Sequence, residues 1–233
     1  MWIGAVIIVI ASYLLGALPQ LKWLARLRGA ELTGDFHEGL WNKGGKALAI
    51  VGIVTEFLKG VLPVLVTRAL GYGDLTAMSA GVAAVCGQMW PVFSRFDGEK
   101  GNSIGIAMLL TLNFKPAAIA LVFPVLAIIF RVAPRLIAKS GNKPLIGGPY
   151  SRALPVGMAL YFLSQPFLNW VLGYRPELIW GTAVLFILII IRRATAGLSA
   201  DIKTSSDIKS VLFNRILFDR STAPWRRNSQ HSE

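Results

Sequence analysis

Long apolar runs dominate this chain of 233 residues, of which 54% are hydrophobic. A helix needs roughly 20 apolar residues to cross the hydrocarbon core of a bilayer, and several of the runs reach that length. The sequence therefore predicts an all-α, polytopic membrane helix bundle of about seven transmembrane helices. The predicted spans cover residues 2–19, 47–66, 75–93, 104–112, 117–132, 154–172 and 178–191. Because the fourth and the seventh are short, about five spans are the alternative count.

The placement of lysine and arginine predicts how these spans are oriented. The chain has 24 Lys and Arg against 12 Asp and Glu, and most of the basic residues lie in the odd-numbered connections and in the tail. The even-numbered connections contain only Arg68, Lys115 and Arg175. Cytoplasmic loops are enriched in basic residues, so the N-terminus is expected outside and the C-terminus in the cytoplasm. The net charge of +12 is thus a topology signal and does not indicate nucleic-acid binding.

Two charged residues interrupt the second predicted span. Glu56 and Lys59 are close enough in sequence for their side chains to lie on one helix face and pair. Charged residues inside a span are costly and usually face a partner or a polar cavity. Two interpretations stay open: a structural ion pair that locks helix packing, or a Lys59 that borders a polar cavity reached from the cytoplasm.

The polar loop between the third and fourth predicted spans has the composition of an anion-binding site. Gly98 and Gly101 flank a Glu-Lys pair, and an apolar run begins shortly afterwards. Glycine allows backbone N–H groups to turn toward a ligand, the next helix offers its N-terminus, and Lys100 adds a full charge. The alternative is a membrane turn whose lysine faces anionic lipid. Asn102 and Ser103 are expected to cap the next helix, a role compatible with binding a phosphate.

Four motifs follow one another within about the first 110 residues. They are Gly-Ala-Leu-Pro at 16–19, Glu-Phe-Leu-Lys-Gly-Val-Leu-Pro at 56–63, Gly-Gln-Met-Trp-Pro-Val-Phe at 87–93 and Phe-Asp-Gly-Glu-Lys-Gly at 96–101. In this order they resemble Gly-Ser-Ile-Pro, Asp-x-x-Lys-Gly-x-x-Pro, Gly-His-x-Phe-Pro-x-Phe and Phe-x-Gly-Gly-Lys-Gly. Those are signatures of the bacterial acyl-phosphate:glycerol-3-phosphate acyltransferase family (PlsY).

The resemblance implies an enzyme that transfers a fatty acyl group from acyl phosphate to glycerol 3-phosphate, giving lysophosphatidate in the cytoplasmic membrane of a bacterium. Cations, hydroxyls and backbone N–H groups would gather the substrates, without a metal or another cofactor. Set against the family's motifs, the phosphate-binding residues are Gly98, Lys100, Gly101, Asn102, Ser103, Lys59 and Ser151, and the catalytic residues are Thr33, Lys43 and Arg193. The loop residues would form one phosphate pocket, and Lys59 with the catalytic residues a second. Ser151 is alternatively a helix cap.

Several positions differ from the family's pattern and keep other functions open. Gln88 stands where the family has a histidine, and Asp35 adds negative charge to the first loop. Residues 191–198 contain neither the histidine nor the asparagine of the family, and Arg193 stands at about the histidine position. One alternative is an altered or inactive paralogue that binds an anionic lipid or a phosphate ester. A further alternative is a small transporter that uses the intramembrane charge pair, although no repeat relates the two halves.

The chain divides into a PlsY-like membrane domain at residues 1–195 and a cytoplasmic tail at 196–233. Residues 205–207, Ser-Ser-Asp, are expected to cap a helix whose apolar positions recur at helical spacing from Ile208 onwards. Because Lys209, Arg215 and Arg220 flank this stripe, an amphipathic helix at the membrane interface is predicted. The last ten residues are expected to be disordered.

Overall fold

The computed structural model describes residues 2–27, 29, 39–137, 153–204 and 207–219, and the regular structure in these ranges is helical, without a strand. The helices are α1 (Trp2–Ala17), α2 (Gln20–Arg26), α3 (Lys46–Ala69), α4 (Asp74–Met89), α5 (Asn102–Leu112), α6 (Phe114–Ala120), α7 (Val122–Ile137), α8 (Leu154–Val171), α9 (Pro176–Thr195), α10 (Leu198–Thr204) and α11 (Ile208–Phe218). A π-helical turn at Leu40–Gly44 precedes α3, and a 3₁₀ turn at Val92–Ser94 follows α4.

Five helical segments among the described residues are long and apolar enough to cross a membrane. They are Trp2–Arg26, Lys46–Ala69, Asp74–Ser94, Phe114–Ala133 and Pro176–Thr195. Helix α5 is apolar but shorter, and α8 has 18 residues with Pro166 inside it. The predicted all-α membrane bundle is confirmed, because its helices coincide with the apolar runs. The count of seven spans and the orientation of the termini stay predictions.

Glycines let α1 and α4 pack backbone against backbone. A Cβ atom on Gly16 would collide with the carbonyl oxygen of Ala84, and one on Gly87 would collide with the carbonyl oxygen of Tyr13. Small residues permit such close approach between membrane helices, where lipid supplies no hydrophobic drive for association. The Tyr13 hydroxyl also donates to the carbonyl oxygen of Trp90 at 2.6 Å. The C-terminal ends of α1 and α4 are therefore fixed together at the start of the polar loop.

The short helix α5 begins inside the bundle. Gly60 of α3 approaches its backbone so closely that an added Cβ atom would collide with the carbonyl oxygen of Ile104. On another side, an added Cβ atom on Gly105 would lie 2.9 Å from the ring of Phe162 in α8. The surrounding core includes Met89, Ile104, Met108, Phe162, Leu185 and Ile189. This packing places the N-terminus of α5, and the loop before it, against α3, α4, α8 and α9.

The tail continues as two short helices against the bundle. The carboxylate of Asp207 accepts a hydrogen bond from the backbone N–H of Ser210 at 3.1 Å and so caps α11. Helix α11 contacts α8 and α9 and buries Val211, Asn214 and Arg215. Arg215 was predicted to flank a membrane-facing stripe, but it is only 8% exposed because it binds other parts of the tail. The position of α11 at a membrane surface stays a prediction, and residues 205–206 and the last ten residues lie outside the described ranges.

Candidate functional site

The loop between α4 and α5 folds back onto the end of α4. Arg95 and Phe96 both adopt left-handed backbone conformations, with φ of 54° and 61°. The N–H of Phe96 donates to the carbonyl oxygen of Pro91 at 3.0 Å, and the N–H of Glu99 donates to that of Gln88 at 3.1 Å. Two consecutive non-glycine residues in this conformation are strained, and such strain persists only where the surroundings impose it. The loop therefore has one defined path.

Both glycines of the loop are required by its geometry. An added Cβ atom on Gly98 would collide with the carbonyl oxygen of Gln88 and with the ring of Pro91. Gly101 has a φ of 73°, and its added Cβ atom would lie 2.7 Å from Cγ1 of Val85. The first position needs space and the second also needs a left-handed backbone, which glycine adopts without cost. Both glycines therefore let the loop pack tightly against α4.

Arg192, near the end of α9, holds this loop from the protein interior. Its Nη2 donates to the carbonyl oxygen of Gly98 at 2.5 Å and to Oδ1 of Asp97 at 2.9 Å. Its Nε donates to the carbonyl oxygen of Glu99 at 3.3 Å. Sequence reasoning chose Arg193 and missed Arg192. The available signal was the Arg-Arg pair itself, since a basic residue at the end of a span next to an anion-binding loop can reach its carbonyls.

Helix α5 begins at Asn102, directly after Gly101. Gly101 occupies the N-cap position, and no side chain in the part of the chain that the structure describes caps the helix. The prediction that Asn102 and Ser103 cap this helix is wrong, because both already lie in its first turn. Among the described residues, the buried Oδ1 of Asn102 has no hydrogen-bond partner. An uncapped N-terminus leaves the N–H groups of the first turn to bind an anion, and the helix dipole adds positive potential there.

Lys100 is paired with the tail. Its Nζ lies 2.5 Å from Oδ2 of Asp219, the residue that ends α11. The Lys100 side chain is 44% exposed and the Asp219 side chain is 11% exposed. The cation predicted to bind a phosphate thus holds a carboxylate of the same chain. No sequence pattern indicated this contact.

Arg193 is buried in the last turn of α9. It is 1% exposed, and its Nη1 donates to the carbonyl oxygen of Pro155 at 2.9 Å. Among the described residues, its Nε and Nη2 have no hydrogen-bond partner. The carboxylate of Asp219 lies near enough to attract it electrostatically. The structure therefore brings together Arg193 and Lys100, which the sequence had assigned to different phosphate pockets.

Lys59 holds the end of α1. Its Nζ donates to the carbonyl oxygen of Gly16 at 3.1 Å, to that of Leu18 at 2.5 Å, and to Oε1 of Gln20. An ammonium group has three donors, so these acceptors use all of them. Lys59 also lies within electrostatic range of Glu56. A direct contact between Lys59 and phosphate stays a prediction, and it would require one of these bonds to be exchanged.

A small cavity joins this lysine to the loop. It is lined by Lys59, Glu56, Gln88 and Gly98, among others. Oε1 of Glu56 accepts a hydrogen bond from Nε2 of Gln88 at 2.8 Å. The cavity volume is about 40 Å³, enough for a few water molecules. The expectation of a polar cavity beside Lys59 agrees with this arrangement.

Three predicted site residues cannot be placed in this geometry. Thr33 and Ser151 lie outside the described ranges. The backbone of Lys43 lies in the π-helical turn before α3, but its side chain is outside what the structure describes. Their roles stay predictions. Among the described residues, no group of three or more His, Cys, Asp and Glu side chains could hold a metal ion.

Comparison with known proteins shows which family the chain resembles. The sequence profile of the glycerol-3-phosphate acyltransferase family matches residues 6–196. The glycerol-3-phosphate acyltransferase of Pseudomonas entomophila (strain L48) is 31% identical over 187 residues, which cover 78% of this chain and 87% of the relative. Glycerol-3-phosphate acyltransferase 4 of Dehalococcoides mccartyi (strain CBDB1) is 29% identical over 239 residues, which cover 97% of this chain and 96% of the relative.

The fold is also that of a solved membrane protein. The glycerol 3-phosphate form of PlsY (YgiH), an integral membrane glycerol 3-phosphate acyltransferase, matches with a TM-score of 0.66 and 20% identity over 97% of this chain and all of PlsY. Its lysophosphatidic acid form matches with a TM-score of 0.64 and 22% identity, over 86% of this chain and 93% of PlsY. At these identities the structures support the fold. With the profile match across most of its length, the chain belongs to the glycerol-3-phosphate acyltransferase family.

Proposed function

We propose that this protein transfers a fatty acyl group from acyl phosphate to glycerol 3-phosphate in the cytoplasmic membrane of a bacterium. The proposal rests on the loop at residues 97–101. Arg192 binds backbone carbonyl oxygens of this loop, and the loop leads directly into the N-terminus of α5, which no described side chain caps. Membership of the family supplies the reaction class. The geometry supports a phosphate site at the residues that match the family's loop.

The reaction needs positioning and charge more than a strong base. The primary hydroxyl of glycerol 3-phosphate attacks the acyl carbon, a new C–O ester bond forms, and the bond between the acyl carbon and the phosphate oxygen breaks. Inorganic phosphate leaves, and the hydroxyl proton is transferred to it. Because phosphate is a good leaving group, the protein must chiefly orient two phosphate-bearing substrates and stabilise the developing oxyanion.

Arg192 sets the direction of the N–H groups in the loop. A trans peptide is planar, so its carbonyl oxygen and the N–H of the next residue point in opposite directions. The carbonyl oxygen of Glu99 is bound by Arg192, and the N–H of Lys100 therefore points away from that guanidinium. This N–H, the first turn of α5 and the Lys100 ammonium together form the phosphate cradle that we propose. Arg192 acts on substrate only through the loop, as a positioning residue.

Arg193 provides the second cation of the proposed site. Two nitrogens of the buried Arg193 guanidinium have no hydrogen-bond partner among the described residues. Burying such groups costs free energy unless an anion binds them during function. Its planar fork can contact two oxygens of one phosphate, which a lysine cannot do. We expect further ligands from Thr33 and Lys43 in the first loop and from Ser151 before α8. Lys59, which binds the end of α1, is the remaining expected ligand.

The test is acyl transfer by the purified protein reconstituted in vesicles. Palmitoyl phosphate and labelled glycerol 3-phosphate should yield lysophosphatidate together with an equal amount of inorganic phosphate. Palmitoyl-coenzyme A in place of palmitoyl phosphate should give no product. Folded protein that forms no lysophosphatidate from either donor would overturn the proposal.

A second function, an inactive paralogue that binds an anionic lipid or phosphate ester, is favoured by one observation. Lys100 already holds the carboxylate of Asp219, so the cradle is occupied by the chain itself. Such a paralogue would bind glycerol 3-phosphate in the same vesicles without releasing inorganic phosphate from palmitoyl phosphate. Calorimetric binding beside the turnover assay distinguishes the two functions.

A further inference from the structure

We propose that the C-terminal helix α11 closes the phosphate cradle with its own carboxylate, so that a substrate phosphate must displace Asp219 from Lys100 before it binds. This inference rests on the proposed role of Lys100 as a phosphate ligand. In this proposal the tail is an intramolecular competitor that raises the KM for substrate.

The first observation is the ion pair itself. Nζ of Lys100 and Oδ2 of Asp219 are 2.5 Å apart, although the two residues lie on different segments of the chain. The Asp219 carboxylate is largely shielded from solvent, whereas Lys100 is half-exposed. A charged pair on an open surface would show both partners exposed. The carboxylate instead binds the Lys100 ammonium, which is one of the groups of the proposed cradle.

The second observation is how the carboxylate is placed. Asp219 has a φ of 58°, a left-handed conformation, and its N–H donates to the carbonyl oxygen of Arg215 at 2.9 Å. Aspartate tolerates this conformation better than most residues, but not without cost. A left-handed residue commonly ends a helix, and Asp219 is the C-cap of α11. The end of the helix thus places the carboxylate that contacts Lys100.

The third observation is that α11 is fastened to the bundle. Nε of Arg215 donates to Oδ2 of Asp201 at 2.8 Å, and its Nη1 donates to the carbonyl oxygen of Ala196 at the end of α9. Val211 is buried on the same face of the helix. At the other end, Asp207 caps the first turn. Asp219 is therefore held at the cradle by a docked helix, with a high effective concentration.

The charges around the carboxylate explain why displacement is feasible. Arg193 attracts Asp219, yet no hydrogen bond joins them among the described residues, and two of its nitrogens stay unpaired. A carboxylate carries one negative charge, whereas a phosphate monoester at neutral pH carries nearly two and offers three oxygens. A substrate phosphate can thus bind Lys100 and Arg193 at once, which Asp219 does not do. Substrate at sufficient concentration replaces the carboxylate, and the apparent affinity is lowered by the competition.

The test compares Asp219→Asn with wild type by steady-state kinetics of acyl transfer. Asparagine has the same shape and also tolerates the left-handed conformation, so the change removes chiefly the charge. The KM for glycerol 3-phosphate or for palmitoyl phosphate should fall by roughly two- to tenfold, the range expected for losing a partly exposed charged competitor. The matched control is Asp207→Asn, which removes a carboxylate from the other end of α11 and leaves the cradle untouched, so its KM should equal that of wild type.

Amide hydrogen exchange gives a second readout that does not depend on turnover. Saturating glycerol 3-phosphate, or palmitoyl phosphate added without glycerol 3-phosphate, should slow exchange at residues 98–103 and accelerate it at residues 208–218, because the helix loses its contact with Lys100. If wild type turns over and the KM of Asp219→Asn is unchanged or higher, Asp219 does not compete with substrate and the proposed function stays intact. Greater protection of α11 on binding would show the same. Absence of both turnover and protection at 98–103 would overturn the proposed function and this inference together.

Discussion

The guanidinium of Arg192 donates to the carbonyl oxygen of Gly98 at 2.5 Å and joins two positions that are 94 residues apart in sequence. This bond connects the last long apolar helix to the loop that carries Lys100. The arginine is nearly buried, whereas its other partner, the carboxylate of Asp97, is 86% exposed. The bonds to the two loop carbonyls are therefore the better shielded contacts, and they are the ones that define the cradle.

Arg192→Lys should reduce kcat/KM for acyl transfer by roughly 10- to 100-fold, because a small displacement of substrate-binding groups has effects of that size. Lysine keeps the charge but cannot bind the carbonyls of Gly98 and Glu99 together. Exchange at residues 97–101 should accelerate in the variant, which a simple loss of charge at the site would not cause. Wild-type kinetics together with unchanged exchange at residues 97–101 would show that Arg192 does not position the loop.

Gly98→Ala should destabilise the loop and abolish most activity, since the new methyl group collides with the carbonyl oxygen of Gln88 and the ring of Pro91. Overpacking of this kind typically costs about 1–3 kcal/mol. The matched control is Gly73→Ala, because an added Cβ atom there meets nothing within 4 Å. Thermal unfolding in detergent should show the larger fall in Tm for Gly98→Ala, since Gly73→Ala creates no collision and only weakens the N-cap of α4. Equal Tm values and equal activities would show that the loop can move aside.

Arg193→Met should lose at least about tenfold in kcat/KM while its Tm changes little. A charge-assisted hydrogen bond to a phosphate contributes about 1.5–3 kcal/mol, which sets the loss of activity. The variant loses the bond to the Pro155 carbonyl, which costs about 1–3 kcal/mol, but it no longer buries two guanidinium nitrogens that have no partner among the described residues, so the two effects largely offset. Arg193→Lys should recover part of the activity. A large fall in Tm at normal activity would instead make Arg193 a packing residue.

Lys59→Met should lower the Tm, because the carbonyl oxygens of Gly16 and Leu18 lose their donor. Each buried acceptor left without a partner costs about 1–3 kcal/mol. The control on the same helix is Lys46→Met, which replaces an exposed lysine at its start and should leave the Tm unchanged. A normal Tm with a raised KM would identify Lys59 as a direct phosphate ligand.

The long helices could be predicted from the sequence because each one follows a long apolar run, although Glu56 and Lys59 interrupt one of them; the short helices α2 and α10 lie outside the predicted spans. The loop could also be predicted, since Gly98 and Gly101 stand at the two positions where a side chain would collide or the backbone is left-handed. In both cases local sequence and tertiary structure impose the same requirement. Helix α5 differed only at its cap, where Gly101 takes the position that was expected for Asn102 or Ser103.

The choice between Arg192 and Arg193 could not be made from the sequence. Adjacent residues on a helix point about 100° apart, so one of the pair reaches the loop and the other turns toward the start of α8. Only the rotation of α9 in the bundle decides which is which. Asp219 was missed for a similar reason: its role depends on how α11 docks, and that docking uses Arg215 together with Val211, whereas Ile208 and Ile216 of the apolar stripe stay exposed.

In the mechanism that we propose, the loop carrying Lys100 binds a phosphate during acyl transfer. The most direct measurement is lysophosphatidate formation from palmitoyl phosphate and glycerol 3-phosphate by wild type, Lys100→Ala and the control Lys115→Ala, each in vesicles and each checked for folding. We predict product from wild type and from Lys115→Ala, with the rate of Lys100→Ala reduced at least about 100-fold, as when an electrostatic contact to the transition state is removed. Equal rates for wild type and Lys100→Ala would contradict the claim and place the phosphate elsewhere.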